Sequence, residues 1–210
     1  MDAAPEHDGP AGRAGYPRST GSRRGEARRR ELLERVTEDL AVNGLVDFSL
    51  RRAARAAGTT HKVLLYYFDG ADDLLTQAIF QLRDRRTAQG LTAATTGPAG
   101  QSLADRVRAV WPILVSEEMR LLDQAIGLAM VDPERYGQLG REASKQYMPP
   151  LMSLCPDHWP DRRKLEVAEM ILAGYRGFLL ELRTSGDAAG VAAGFEALIR
   201  ALEREEAAGE

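Results

Sequence analysis

From Glu26 to Glu206 apolar residues return every three or four positions, and nowhere do Val, Ile or Thr alternate with polar residues over the length of a strand. A period near 3.6 buries one face of a helix, whereas a half-buried strand needs a period of two. The chain is therefore expected to be all-α, with about nine helices. The first runs Glu26 to Asn43, with Leu33, Val36 and Leu40 on one face and Gly44 as a left-handed stop. Two short helices follow: Leu50 to Ala57, capped from Asp47 or Ser49 and ended by Gly58, and His61 to Tyr67, capped by Thr60. After the Asp69-Gly70 turn, Leu74, Leu75, Ala78, Ile79 and Leu82 form the apolar stripe of a helix from Ala71 to Arg86. Gln89 to Gly100, rich in Gly, Thr and Ala, reads as a flexible connection. Further helices are expected at Ser102 to Ser116, Glu117 to Met130, Pro133 to Leu154, Arg162 to Arg183 and Ala188 to Glu206.

Charge divides this chain more than it characterises the whole. The net charge is -3, yet residues 11 to 62 carry 12 Lys or Arg against 6 acids. A basic N-terminal third on an acidic body suits a molecule that meets a polyanion at one end. Residues 1 to 25, with abundant Gly, Pro, Ser and Arg and few apolar side chains, read as a disordered basic tail. Its continuation, Ser22 to Arg30, is either a solvated arm or a segment that follows a phosphate backbone. Cys155 is the only cysteine, no signal-peptide pattern opens the sequence, and Glu169, Arg176 and Glu181 interrupt the long apolar stretches. A cytoplasmic protein that does not enter the membrane is expected, with no need of metal or disulfide for its core.

A tight Gly58 turn between two short helices, placed downstream of a longer scaffolding helix, is the arrangement that lets a second helix enter a DNA major groove. Small residues Ala53, Ala54 and Ala57 let the two helices approach, and Leu64, Leu65 and Phe68 are expected in the core. That leaves Thr59, Thr60, His61, Lys62, Tyr66 and Tyr67 on the open face, with Ser49, Arg51 and Arg28 as further phosphate contacts. Singly, such residues are ordinary surface; as a set on one helix they read as a DNA contact surface. The stretch Ala57-Gly58-Thr59-Thr60-His61-Lys62-Val63-Leu64-Leu65-Tyr66-Tyr67-Phe68-Asp69-Gly70-Ala71-Asp72-Asp73-Leu74-Leu75 resembles the signature of the TetR family of transcriptional regulators, and the match covers about Arg28 to Ala78. In two places it departs from that pattern. Leu65 stands where many members have a tyrosine, and Ala71 where a lysine often opens the next helix, which here starts among Asp69, Asp72 and Asp73. Acids suit a helix N-terminus but repel DNA, so binding is expected to lean on the arginine arm, Arg51, Arg52 and Lys62.

The rest of the chain reads as a helical body from 71 to 206, following a helix-turn-helix unit from 26 to 70. The helix at Arg162 to Arg183 is apolar nearly all round, which implies burial on more than one face, and Gly174 and Gly177 permit close approach. Tyr175, Phe178, Leu179 and Leu182, with Val191, Phe195, Leu198 and Leu202 of the last helix, make a packing seam that the resemblance assigns to a homodimer. A dimer spaces two reading helices by one DNA turn and calls for a near-palindromic double-stranded site. Aromatic and Met side chains between these elements are compatible with core packing or with a ligand pocket. The resemblance implies an effector pocket there, for which Trp111, Tyr147, Met148, Met170 and Tyr175 are the candidates, with a small, largely apolar molecule as occupant and loss of DNA binding as the result. Cys155 and His158 alone do not make a metal site, and with no phosphate loop or nucleophile elbow neither a cofactor nor an enzyme is expected. Two other readings are open: a helical scaffold whose helix-turn-helix packs a protein partner, and a small hydrophobe-binding protein.

Overall fold

The computed structural model describes residues 22–98, 100–116 and 119–208; the expected tail before Ser22 lies outside them. Its described elements are α1 (Arg23–Asn43), α2 (Leu50–Ala56), α3 (His61–Tyr67), α4 (Ala71–Thr95), α5 (Leu103–Leu114), α6 (Arg120–Val131), α7 (Pro133–Leu154), α8 (Asp161–Thr184) and α9 (Ala188–Ala207). The fold is all-α, with nine helices and no strand among the described residues. Side-chain caps mark the starts that matter for the first unit: Ser22 Oγ accepts from Gly25 N, Ser49 Oγ from Arg52 N, and Thr60 Oγ1 from Val63 N. Each hydroxyl satisfies an amide that the helix itself cannot.

Two cores are built on α4. Its first half buries Leu74, Leu75, Ala78, Ile79 and Leu82 together with Leu32, Val36 and Leu40 of α1, Ala53 and Ala54 of α2, and Leu64 of α3. Leu121, Leu122 and Ala125 of α6 and Leu139 of α7 close the same cluster, so the helix-turn-helix shares its interior with the body. The second core takes Ala94 from the end of α4, then α5, the end of α7, α8 and α9. Trp111, half-buried, packs against it, stacked on Phe195 at 4.7 Å between centroids and on Tyr175 at 6.1 Å.

Four expectations are corrected by this packing. The helix expected to stop at Arg86 continues to Thr95, because Gly90 lies against Val110 and Ala94 is fully buried; contact with α5 overrides the weak helix preference of Gly and Thr. In α1 it is Leu32, not Leu33, that is wholly buried with Val36 and Leu40. Leu65, expected in the core, is 42% exposed, since Leu64 and Phe68 already occupy the inward face of so short a helix. Gly44 has a positive φ of 68° but an extended ψ, so it turns the chain away from α1 without a left-handed helical residue.

The seam proposed for a partner is also revised. Tyr175, Leu179, Val191, Phe195 and Leu202 are buried inside one chain, and Phe178, Leu182 and Leu198 are half-buried there. Tyr175, Phe178, Phe195, Leu198 and Leu202 join α8 to α9 and α5, helped by Gly174, where an added Cβ would stand 2.9 Å from Leu198 Cδ2. The other side of α8 is open: Leu165, Met170 and Leu180 are exposed, Leu180 by 60%.

Gly58 holds φ at +61°, and a Cβ there would lie 3.2 Å from Arg35 Nη1. A left-handed non-glycine residue costs roughly 1–2 kcal/mol, so Gly58→Ala is expected to lower unfolding stability by about that much, measured by urea titration.

Candidate nucleic-acid interface and interior cavity

Helix α3 is too short to hold itself, and arginines fix it in place. Arg29 of α1 donates to Tyr67 O at 3.3 Å, lies over the Phe68 ring at 5.0 Å, and reaches Gln77 of α4. Arg35 donates to Ala57 O at the end of α2. Arg52 pairs with Asp39 at 2.8 Å and also donates to Val46 O, tying α2 to α1 and its loop. Arg52, expected to supply DNA affinity, is thus engaged inside the fold. Arg51, Arg55 and Lys62 are exposed and have no acidic partner among the described residues.

Thr60, His61, Lys62 and Tyr66 are exposed on α3 and its cap, while Thr59 and Tyr67 are half-buried. The Tyr66 and Tyr67 rings meet edge to face at 4.9 Å. Beside them Ser22, Arg24, Gly25, Arg28 and Glu31 of the α1 start complete a polar cleft. Arg28 is paired there with Glu31 at 2.6 Å. The tail expected to run to Gly25 is corrected at its end: Ser22 is a helix cap and Arg23 to Gly25 already belong to α1, so the basic stretch to Arg30 forms the first turns of that helix. Ser49 Oγ accepts from Arg52 N, and its own position leaves it exposed at the start of α2.

The acids at the start of α4 also have local partners. Asp72 accepts both Arg135 Nε and Nη2, at 2.7 and 2.8 Å, from the start of α7. Asp73 accepts from Asp69 N at 2.9 Å and from Gln77 Nε2 at 2.7 Å. Nothing in the sequence marks Arg135, 63 residues away, as the partner of Asp72. A second link of the same kind runs from α6, where Gln124 Oε1 accepts Leu45 N at 3.1 Å in the loop after α1.

Within the body lies a cavity of about 110 Å³, walled by α4, α5, α6, α7 and α8. Leu91, Val110, Leu122, Ile126, Leu151 and Leu172 make it mainly apolar. Of the candidates, Tyr147 and Tyr175 line it; Trp111 and Met148 pack against the second core, and Met170 is exposed on α8. Tyr175 donates its hydroxyl to Val107 O at 2.7 Å, and burial pushes its pKa far above the usual phenol range. Missed in the sequence were Arg86, Thr87, Asp123 and Arg176, polar wall residues on helices whose apolar stripes gave no sign of a void. Arg83, fully buried next to this wall, donates to Gln146 Oε1 at 2.8 Å and Leu139 O at 3.2 Å. Its guanidinium lies 5.6 Å from the Tyr147 ring, and desolvation pulls its pKa down.

Cys155 is buried, its thiol pKa pushed up by burial, and His158 is exposed. Among the described residues no group of three or more His, Cys, Asp or Glu is placed to hold a metal ion, and no helix is long and apolar enough to cross a membrane.

Comparison with known proteins places this geometry. No family profile matches the sequence, and no curated protein matches it. Solved structures do. A protein designated a TetR-family transcriptional regulator from Rhodococcus sp. superposes with a TM-score of 0.61 at 16% identity, over 85% of this chain and 97% of that one. A protein designated a transcriptional regulator from Pseudomonas aeruginosa PAO1 gives 0.61 at 22% identity, over 87% and 91%. The multidrug binding protein EbrR, complexed with proflavin, gives 0.61 at 19% identity, over 82% and 98%. The chain therefore has the fold of the TetR-family regulators.

Arg52 and Arg51 are neighbours with different roles, which stability measurements separate. Arg52→Ala removes a half-buried pair and is expected to cost about 1–3 kcal/mol, whereas Arg51→Ala should stay within about 0.5 kcal/mol of wild type.

Proposed function

We propose that this chain is a DNA-binding transcriptional regulator of the TetR type, a homodimer that represses from a near-palindromic site and releases it when a small, largely apolar molecule enters the cavity. The observation that carries the reading is the outward face of α3. His61, Lys62 and Tyr66 stand exposed on a helix that Arg29 and the first core hold rigidly. Lys62 and His61 suit base edges or phosphates; Thr59, Thr60, Tyr66 and Tyr67, with Ser49, Arg51 and Arg28, suit the backbone. The pairing of Asp72 with Arg135 at the α4 start supports the reading as well, because it offsets one of the acids there. Such a protein works on DNA, not as an enzyme, and belongs in the cytoplasm with its site.

Release needs an effector that prefers the conformation unable to bind DNA, and DNA must then weaken the effector by the same factor. The wall supplies a route. Met119 and Leu122 line the cavity and belong to the first core. Movement of α6 to admit a molecule therefore disturbs the packing beneath the reading unit, along with the Gln124 bond to Leu45.

Selection of bound duplexes from a random library tests the central reading. Wild type is expected to enrich a near-palindrome, with affinity falling steeply as salt rises. Lys62→Ala with Tyr66→Ala should weaken binding by about 1–3 kcal/mol; enrichment of no duplex, or unchanged binding by the double variant, overturns it.

The open face of α8 is the surface we assign to the partner copy, in place of the buried seam. Leu180→Glu lies outside the protomer core, so it is expected to leave helix content intact while shifting the sedimenting species from dimer to monomer. A dimer that persists rejects this face.

A further inference from the structure

The cavity wall is apolar in area but unbalanced in charge. Among the described residues its one carboxylate is Asp123, and Arg183 Nε already holds it at 3.2 Å. Burial nevertheless pushes the Asp123 carboxyl pKa up. Arg176 has no such partner. It lines the wall from α8, its one hydrogen bond goes to Ser144 Oγ at 3.4 Å, and no carboxylate among the described residues pairs with it.

Three further groups gather at the same corner. Thr87 lies one helical turn beyond Arg83 on α4, and its hydroxyl is buried with no hydrogen-bond partner. Tyr147 follows Ser144 by three residues on α7, which puts its ring beside Arg83 and near Arg176. Arg83 itself is a fully buried cation whose bonds all go to neutral acceptors. A buried cation that no carboxylate contacts directly is costly, Asp84 acting on Arg83 only through space and through Gln146, and in a low-dielectric wall its field reaches further than it does in water. An unpartnered buried hydroxyl adds a similar demand for an acceptor.

We propose that the cavity binds a compact amphipathic carboxylate, its apolar body among Leu122, Ile126, Leu151 and Leu172 and its carboxylate at Arg176 and Thr87. An apolar cavity of about 150 Å³ holds benzene; this one, at about 110 Å³, is smaller, so it takes a short chain, or a single ring only if the polar end stays at the exposed Arg176. Arg176 supplies a charge-assisted hydrogen bond at the mouth, Thr87 donates its hydroxyl proton, and Arg83 contributes its field from behind Tyr147. The identity of the occupant rests on the cavity; only its consequence at DNA rests on the regulator reading.

Three probes of near-equal shape separate charge from hydrophobicity: phenylacetate, 2-phenylethanol and phenethylammonium, titrated calorimetrically into the full chain without DNA. Phenylacetate is expected to bind at least about tenfold tighter than either of the others. Arg176→Gln should remove about that factor for phenylacetate and leave 2-phenylethanol unchanged. Because Arg176 is exposed, its unfolding midpoint should not move. Thr87→Val should weaken phenylacetate in the same direction. Equal binding of the three, preference for the ammonium, no binding of any, or an Arg176→Gln effect on the alcohol as large as on the acid overturns the proposal. Duplex binding measured in parallel keeps the two readings apart. Phenylacetate failure in a chain that binds duplex rejects this ligand class alone, and tight phenylacetate binding in a chain that binds none rejects the regulator alone.

Discussion

Continuity of α4 is the constraint on which the rest of the structure depends. Its 25 residues carry no proline and span about 37 Å at 1.5 Å per residue. One end is locked into the core of the reading unit by Leu74, Ala78 and Ile79, and the other lies in the second core through Ala94. Between them, Arg83, Thr87 and Gly90 face α7, the cavity and α5. A rod anchored at both ends cannot take up a change at its middle by bending locally without loosening packing at one end. Cavity and α3 are therefore connected through side chains that are close-packed, where small displacements are not freely absorbed.

The arginines of the first unit show how one residue type serves two purposes. Arg29, Arg35 and Arg52 point inward to carbonyls, Gln77 and Asp39, and hold three short elements in one geometry. Arg51, Arg55 and Lys62 point outward with no acid among the described residues to neutralise them. On the proposed reading, a head built this way would meet a phosphate backbone with its contact groups already ordered, so less entropy would be lost on binding. Asp72 and Asp73 complete the pattern from the opposite sign: Arg135 pairs with the first, and amide donors at the α4 start hydrogen-bond the second.

In the body, the aromatic stack of Trp111, Phe195 and Tyr175 joins α5, α9 and α8 within one chain. It consumes the side chains that a sequence pattern offers most readily to a partner. What remains outward on α8 is a sparser apolar face of Leu165, Met170 and Leu180. The two faces of an amphipathic helix compete for the same sequence signal, and the larger side chains won the interior.

Local sequence was sufficient for the all-α class, for the Gly58 turn between two short helices, for Thr60 and Ser49 as caps and for the outward placement of His61 and Lys62. Period, caps and a positive-φ glycine act within a few residues, so they are readable from neighbours in the chain. Leu65 was misplaced because a short helix has room for only two buried anchors, and which two depends on α1 and α4. The extension of α4 through Gly90 to Thr95 came from α5, against local propensity. The Arg135 bridge to Asp72, the buried Arg83 and the polar corner of the cavity join residues dozens of positions apart. Only tertiary structure decided these, because charge pairing and empty volume depend on which helices meet, and no repeat along a single helix carries that information.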